Sequence, residues 1–169
     1  EIKGIRIYPE LTENCTIAMR VELLGCREEF KCEENMGLED NNIGDSFVCA
    51  SSELDDEHCA EEGRLNGDSA WIPSEDDTDP YFEATWPVPL QIEAIVTQGE
   101  ENTQNFAECY TVEVTDDGVN FYYITDDEGN PKEFDANSDG ETPVTNFFDS
   151  PLEIKGIRIH PGLNENRTT

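Results

Sequence analysis

The clearest chemical pattern in the sequence is a set of oxygen-bearing side chains at alternate positions before a glycine. Asp135, Asn137 and Asp139 precede Gly140 in this way. This is the opening of a calcium loop, in which alternating oxygens surround one hard cation and the glycine permits a sharp turn. The twelfth position of such a loop is a glutamate, but here it is Asn146. The pattern predicts either a calcium site or an ordinary polar turn, and the missing glutamate favours the turn.

The sequence contains no recognisable catalytic set. Its two histidines, His58 and His160, lie outside any metal-ligand or nucleophile motif. Carboxylate pairs carry no information in a chain with 40 acidic residues. We therefore predict that the protein is not an enzyme, and we interpret both histidines as surface residues.

The charge of the chain limits its partners. With 40 acidic and 10 basic residues, the net charge is -30 at pH 7, so nucleic acid and anionic membranes should repel it. Such self-repulsion is tolerated chiefly where cations screen or bind the acidic groups. A hydrophobic content of 36% in 169 residues nonetheless supports one packed core in a soluble protein.

The cysteines and glycosylation sequons indicate an oxidising compartment. Six cysteines occur without a CxxC pair, and sequons begin at Asn14 and Asn166. This combination is typical of proteins that follow the secretory route, so we predict a secreted, extracellular glycoprotein.

The two ends of the chain are copies of each other. Residues 1–16, EIKGIRIYPELTENCT, come back at 153–168 as EIKGIRIHPGLNENRT. The two copies begin 152 positions apart, at residues 1 and 153. A repeat period of that length corresponds to a whole domain, so we expect a tandem array of domains. We assign 1–26 to the closing strands of a preceding domain, 27–31 to a linker, and 32–169 to a domain that lacks its final strand. The alternative is that residues 1–26 are swapped strands that complete a domain.

Short alternating strands between Gly, Pro, Asn and Asp turns predict an all-β fold. The segment TIAMRVELLG alternates apolar with other residues, as a half-buried strand does, and a domain without this strand would have an open sheet edge. Asp116, Asp117 and Gly118 form a strong hairpin signal. The other predicted strands are Ser46 to Ser51, Tyr81 to Thr85, Gln91 to Thr97, Glu108 to Thr115, Val119 to Thr125, Pro143 to Phe148 and Glu153 to Ile159.

Several segments, in order, resemble the discoidin domain, also called the coagulation factor five/eight type C domain. They are NNIGDSFVCASS, GRLNGDSAWIPS, PLQIEAIVTQG, CYTVEVTDDGVNFYYIT and TPVTNFFDSPLEIKGIRIHP, with MRVELLGC as the closing strand. The resemblance implies an eight-stranded jelly-roll β-sandwich. It also implies a disulfide between the first and last cysteines of a domain, here Cys32 and the next repeat's counterpart of Cys26.

The remaining cysteines are odd in number, because Arg167 replaces the counterpart of Cys15. We predict a bond from Cys49 to Cys59 and one from Cys15 to Cys109, which alternation places on the outward face of its strand. The alternative is that one of these thiols is free. If residues 1–26 complete their own domain, Cys26 to Cys32 becomes feasible.

The resemblance directs attention to three loops at one end of the sandwich, which form the ligand-binding rim in relatives. These are roughly Ser52 to Gly63, Gly99 to Glu108 and Asp135 to Val144. Lipid-binding relatives present apolar and basic residues there, whereas these loops are acidic, which favours divalent cations or a cationic partner. The candidate ligand residues are Glu53, Asp55, Asp56, Glu57, Glu100, Glu101, Phe106, Asp135, Asp139 and Glu141.

A second calcium candidate comes from similarity to carbohydrate-binding discoidin-like modules. There a cation sits between an early loop and a closing-strand glutamate, which implies Asn66, Asp68 and Glu22 here. The alternative is an ordinary ion-pair network of Arg20, Glu22 and Arg64.

Glycans offer another class of ligand, because aromatic faces stack on sugars. The candidates are Trp71, Tyr81, Trp86 and Phe106, although both tryptophans lie in segments typical of the core.

Taken together, these features predict a secreted, non-catalytic array of discoidin domains. We expect a structural or adhesive role, with neighbouring copies stacked head to tail into a matrix fibre or filament. The alternative is a multivalent lectin or receptor ectodomain, in which repeated weak sites gain avidity.

Overall fold

A computed structural model describes residues 18–26 and 34–162. The regular structure in these ranges is almost entirely β, with two 3₁₀ helices of three residues each at Asp45–Phe47 and Ala60–Glu62. The prediction of an all-β fold is confirmed. The strands are β1 (Arg20–Cys26), β2 (Glu34–Asn35), β3 (Val48–Ala50), β4 (Phe82–Gln98), β5 (Cys109–Thr115), β6 (Tyr122–Tyr123), β7 (Glu133–Asp135) and β8 (Val144–Gly162).

Two long antiparallel strands, β4 and β8, run through the whole sheet. The ladder between them is interrupted at Thr85/Leu90, which divides each strand into two halves. One half of β4 pairs with β1, and the other half pairs with β3. On the far side of β8, β5 is followed by β6 and β7. The interruption lets the strands bend from one layer of the sandwich into the other.

The hydrophobic core lies between these layers. Alternate residues of every long strand contribute to it, including Leu23 of β1, Phe82 of β4, Val112 of β5 and Ile157 of β8. This period-two burial is why the sequence pattern predicted strands. Segments predicted as separate strands, 81–85 with 91–97 and 143–148 with 153–159, are joined in β4 and β8, because the backbone continues through the bends.

The hairpin after β5 agrees with its sequence signal. Gly118 has a φ of +82°, which an L side chain rarely adopts. The Asp117 carboxylate accepts hydrogen bonds from the amides of Val119 and Asn120, and β5 and β6 are antiparallel. The predicted strand at 119–125 is much shorter, since this turn occupies its first residues.

The first strand, β1, pairs within the sheet of this chain. Arg20–Cys26 pairs along β4 of the same chain, from Arg20 opposite Gln98 to Cys26 opposite Gln91. Val21 and Leu23 are completely buried. The segment that resembles a closing strand therefore lies beside β4 in this chain's own sheet. The domain limits at 1–26, 27–31 and 32–169 remain predictions.

Candidate functional site

A single buried guanidinium ties the second and third predicted loops to the turn at Gly67, at one end of the sandwich. Arg20, which is 1% exposed, donates from Nη1 to the carbonyl oxygen of Gly67 at 2.5 Å. Its Nε donates to Gly99 O at 2.7 Å, and Nη2 to Gly140 O at 3.4 Å. Carbonyls from three separate turns thus converge on one side chain. We call the surface formed by residues 52–63, 99–108 and 135–144 the loop rim.

The second and third loops approach each other so closely that only glycine fits at one point. A Cβ added to Gly140 would collide with the carbonyl oxygen of Glu100. Burial lowers the pKa of Arg20, and the carboxylates of Glu101 and Glu100 act against that shift. These carboxylates favour the charged form of the guanidinium. We call its three hydrogen bonds to backbone carbonyls the Arg20 clasp.

His58 links the first loop to the second. Its Nδ1 lies 2.7 Å from Asp55 Oδ1 and its Nε2 lies 3.2 Å from Glu100 Oε1. Burial lowers the pKa of His58, but its hydrogen bonds with the two carboxylates outweigh burial and raise it above the ordinary 6.5. Sequence reasoning assigned His58 to the surface without a role, because Glu100 is distant in the chain.

The outer surface of the rim is acidic, as the sequence predicted. Glu53, Asp55, Asp56 and Glu57 are exposed in the first loop, as are Glu101 in the second and Asp135 and Glu141 in the third. Glu100, Phe106 and Asp139 are half-buried. The rim therefore presents many carboxylates and one partly covered aromatic ring, a surface suited to positive charge.

The first calcium candidate has the hydrogen bonds of a polar turn. Asp139 Oδ1 accepts from the amides of Glu141 and Thr142, and these bonds lower its pKa. Asn137 is buried and donates its side-chain amide to the carbonyls of Thr97 and Thr142. The Asp139 carboxylate, one of the groups expected to bind a cation, already accepts hydrogen bonds within the turn, so calcium here stays a prediction.

In the second calcium candidate, Glu39 links Glu22 to Asn66. The Glu22 carboxylate is fully buried and accepts from the amides of Leu23, Leu38 and Glu39. Asn66 donates its side-chain amide to Glu39 Oε1 at 2.7 Å, and Asp68 is exposed. Within residues 18–26 and 34–162, no group of three or more His, Cys, Asp or Glu side chains has the geometry to hold a metal ion.

Arg64 makes a second backbone clasp beside the rim. Its Nη1 donates to the carbonyls of Leu38 and Ile43, and its Nη2 lies 2.6 Å from Asp45 Oδ1. The predicted ion-pair network among Arg20, Glu22 and Arg64 is wrong, because these side chains do not have one another as their main partners. Each of these buried side chains binds mainly backbone groups, because a turning chain leaves amides and carbonyls that need partners.

The described cysteines correct the disulfide predictions. Cys49, Cys59 and Cys109 are free thiols, so the predicted bond between Cys49 and Cys59 is not formed. Cys49 contacts Glu83 and Cys59 contacts Glu61, so the two thiols lie in different surroundings.

Cys109 is on the face away from the core, as alternation predicted, yet it is only 5% exposed. Its burial raises the pKa of the thiol to about 12. The bonds predicted for Cys15 and Cys32, and the sequons at Asn14 and Asn166, lie outside the described residues, and nothing is described of the Cys26 side chain.

His160 is also not a surface residue, because it is completely buried on the outer face of the sheet. Its Nδ1 lies 3.4 Å from Asp79 Oδ1. Beside it, the Arg158 guanidinium is 4.7 Å from the Tyr81 ring centroid and 3.8 Å from that of Phe121. Tyr81 and Phe121 therefore cover Arg158 on the outer face of the sheet. The alternation of residues along a strand would by itself predict that this side chain is exposed.

The aromatic candidates for sugar stacking are mostly unavailable. Trp71 is fully buried and Trp86 nearly so, and both indole nitrogens donate to backbone carbonyls. Tyr81 packs against Arg158. Phe106 alone of the four lies on the rim with part of its ring exposed.

Comparison with known proteins assigns this architecture to a family. The fold and its loop rim define a discoidin-type β-sandwich. The model of the F5/8 type C domain matches residues 48–169, so the chain belongs to the F5/8 type C domain family, as the resemblance implied.

Relatives include lactadherin of Mus musculus, 29% identical over 100% of this chain and 38% of that protein. Neuropilin-1 of Homo sapiens is 31% identical over 82% of the chain and 15% of that protein. Coagulation factor VIII of Mus musculus is 28% identical over 96% of the chain and 7% of that protein. The chain thus spans less than half the length of these relatives.

Solved structures share the fold. Wild-type discoidin II from Dictyostelium discoideum matches with a TM-score of 0.58 and 24% identity, over 71% of this chain and 50% of that one. The family 32 CBM from C. perfringens NanJ, solved in complex with galactose, matches with a TM-score of 0.54 and 15% identity, over 70% and 83%. In the described part of this chain, no helix is both long and apolar enough to cross a bilayer.

Proposed function

We propose that this chain is a non-catalytic, extracellular binding module with an adhesive or structural role, and that its acidic loop rim is the binding surface. The observation that carries the proposal is the Arg20 clasp, which holds the second and third loops against the Gly67 turn, together with His58, which links the first loop to the second. A rim fixed in advance loses little conformational freedom on binding. Its carboxylates suit a cationic protein surface or bridging divalent cations such as calcium.

The finer proposal is a tandem array that assembles head to tail. The copy of residues 1–16 at 153–168 supports the array. Neighbouring acidic copies repel each other, so assembly requires a cation between them or a basic patch on the facing surface. Stacked contacts that do not close into a ring produce filaments.

Electron microscopy of native material, with and without a calcium chelator, tests this role. We expect regular filaments with an axial repeat of one domain, and their loss in chelator would place calcium at the joints. Dispersed, flexible chains in both conditions would contradict assembly.

The rim itself is tested by charge reversal. Glu100→Lys with Glu101→Lys should abolish binding to an immobilised lysine-rich peptide, while reversal of Glu153, an exposed glutamate on β8, should preserve it. Equal loss in both variants would show a general charge effect and would contradict a role for the rim.

A second candidate function is a multivalent lectin. The likeness of fold to a module solved with galactose favours it, and repeated weak sites would gain avidity along an array. A glycan array discriminates the two functions. Saturable, sugar-specific binding by a single repeat would support the lectin, whereas assembly without sugar dependence would support the structural role.

A further inference from the structure

A second concave surface lies away from the loop rim, at the bend of β8. Ala94 pairs with Phe147 and Ile92 pairs with Leu152. Residues 148–151 of β8 therefore lie opposite Glu93 alone, and this excess forms a wide bulge. Between the bulge and residues 122–125 lies a cleft of about 390 Å³. Pockets for small ligands begin at roughly this size.

The walls of the cleft are preformed. Tyr122, Tyr123 and Phe148 line it, and all three pack against the hydrophobic core. The Phe148 ring meets Phe134 edge-on at 6.1 Å, and Phe134 stacks on Tyr110 at 5.3 Å. A ligand would therefore meet aromatic side chains that folding has already fixed, which lowers the entropic cost of binding.

The mouth of the cleft carries a hydrogen-bond donor, Lys132, and an acceptor, Asp149. Lys132 Nζ lies 3.1 Å from Asp149 Oδ2, and Ser150 lies beside them in the lining. Lys132 Nζ is also 5.3 Å above the Phe134 ring, which restricts where the ammonium lies. Because the ion pair is largely exposed, it adds little to stability. Its ammonium and carboxylate remain available to hydroxyl groups of a ligand.

We propose that this cleft, which we call the β8 cleft, binds a neutral mono- or disaccharide. Sugars combine an apolar C–H face with hydroxyls that both donate and accept, and the β8 cleft combines aromatic walls with a donor and an acceptor at its mouth. An anionic sugar is disfavoured because the chain carries a net charge of -30.

The β8 cleft rests on the second candidate function, the lectin, and gives it a site; it is independent of the rim and of assembly, which do not enter the argument. The aromatic residues singled out in the sequence are mainly committed to the core or to Arg158, whereas Tyr122, Tyr123 and Phe148 were not singled out. Adjacent positions of a short strand and a bulge give no periodic signal.

The test is an NMR titration of the isotope-labelled full chain with methyl β-galactopyranoside, methyl β-glucopyranoside and methyl α-mannopyranoside. Concentrations extend to about 10 mM, which detects millimolar dissociation constants. We expect saturable shifts at Tyr122, Tyr123 and Phe148 with at least one probe. Lys132→Met combined with Asp149→Asn should weaken that binding at least tenfold. The rim variant Glu100→Gln should leave it unchanged, and thermal unfolding should verify that every variant is folded.

Two outcomes would overturn the inference. One is an absence of saturable shifts with all three probes. The other is a set of shifts confined to His58, Phe106 and their neighbours and insensitive to the Lys132 and Asp149 changes, which would place sugar binding on the rim. Filament formation without sugar binding would overturn the β8 cleft while the structural role stands.

Discussion

At the residue scale, three buried charged side chains organise the loops by binding backbone groups. Arg20 and Arg64 each donate to backbone carbonyl oxygens of more than one segment, and the Glu22 carboxylate accepts from backbone amides of two segments. A charged partner makes such hydrogen bonds strong, and its loss leaves buried polar groups without partners. Substitution of these residues should therefore affect the shape of the rim as well as its stability.

Arg20→Ala should lower the free energy of unfolding by about 3 kcal/mol or more, because buried carbonyls lose their donor. Urea unfolding monitored by tryptophan fluorescence measures this change. Lys132→Ala is the matched control, since its ion pair is exposed and should contribute less than about 1 kcal/mol. Equal effects of the two substitutions would contradict the clasp.

Glu22→Gln should destabilise the fold in a pH-dependent way. Burial raises the pKa of Glu22 above its ordinary 4.5, although the amides of Glu39, Leu23 and Leu38 oppose the shift. The folded state then holds this proton to higher pH than the unfolded state. The contribution of Glu22 to stability is greatest below pH 4.5 and falls as the pH rises through the folded pKa.

The penalty of Glu22→Gln should therefore shrink between about pH 4 and about pH 7. Unfolding of both proteins at each pH measures it. Glu153→Gln, at an exposed position, controls for the removal of one negative charge. A penalty that grows with pH would contradict this prediction.

At the element scale, β1 and the loop contacts determine whether the rim exists. β1 carries Arg20 into position, and its buried residues attach it to the core beside β4. The loops then meet through His58 and Glu100. Each of these contacts joins segments that are distant in the chain.

Leu23→Ala should cost about 2–5 kcal/mol, because a fully buried leucine leaves a cavity. Leu24→Ala on the same strand should cost less than about 1 kcal/mol, because this side chain faces away from the core and is only half-buried. Thermal unfolding compares the two. Small effects from both would show that β1 does not complete this sheet in solution.

His58→Gln should remove part of the pH dependence of stability near neutrality. Because the folded pKa of His58 is raised above 6.5, its contribution is fully present below pH 6.5 and is lost as the pH rises through the folded value. The unsubstituted protein should thus lose more stability than the variant between about pH 6 and about pH 8.

NMR titration of the His58 ring measures the pKa directly. Asp55→Asn should lower it, since the hydrogen bond with Asp55 is one of its causes. A His58 pKa below 6.5 in the unsubstituted protein would contradict the link between the loops.

At the scale of the whole molecule, the net charge of -30 dominates the behaviour of the surface. Like charges destabilise the compact state, and salt screens them within a Debye length. Assembly of such molecules should depend on cations more strongly than on apolar contact.

Raising the concentration of NaCl from about 0.01 M to about 0.15 M should stabilise the domain by about 1 kcal/mol, or 2–4 °C in Tm. Differential scanning calorimetry measures the shift. Millimolar calcium at constant ionic strength is the control for a specific site, because screening alone gives no further increase. A Tm that falls as salt is added would contradict the dominance of self-repulsion.

The sequence by itself determined the all-β fold, the core face of most strands, the turn at Asp117 and Gly118, and the acidic character of the three loops. These features depend on the period-two pattern, on local turn chemistry and on composition. All of them can be evaluated from neighbouring residues. The family resemblance added the jelly-roll order, which the comparisons support.

Only the tertiary structure decided the rest. It placed β1 in this chain's own sheet, directed Arg20 to carbonyls of three turns, left the thiols of Cys49 and Cys59 unbonded, and buried His160 beneath loop residues. It also opened the β8 cleft through a bulge. The physical reason is the same throughout, because each feature joins groups that are far apart in the chain. The pattern of neighbouring residues carries no information about which distant groups will come into contact.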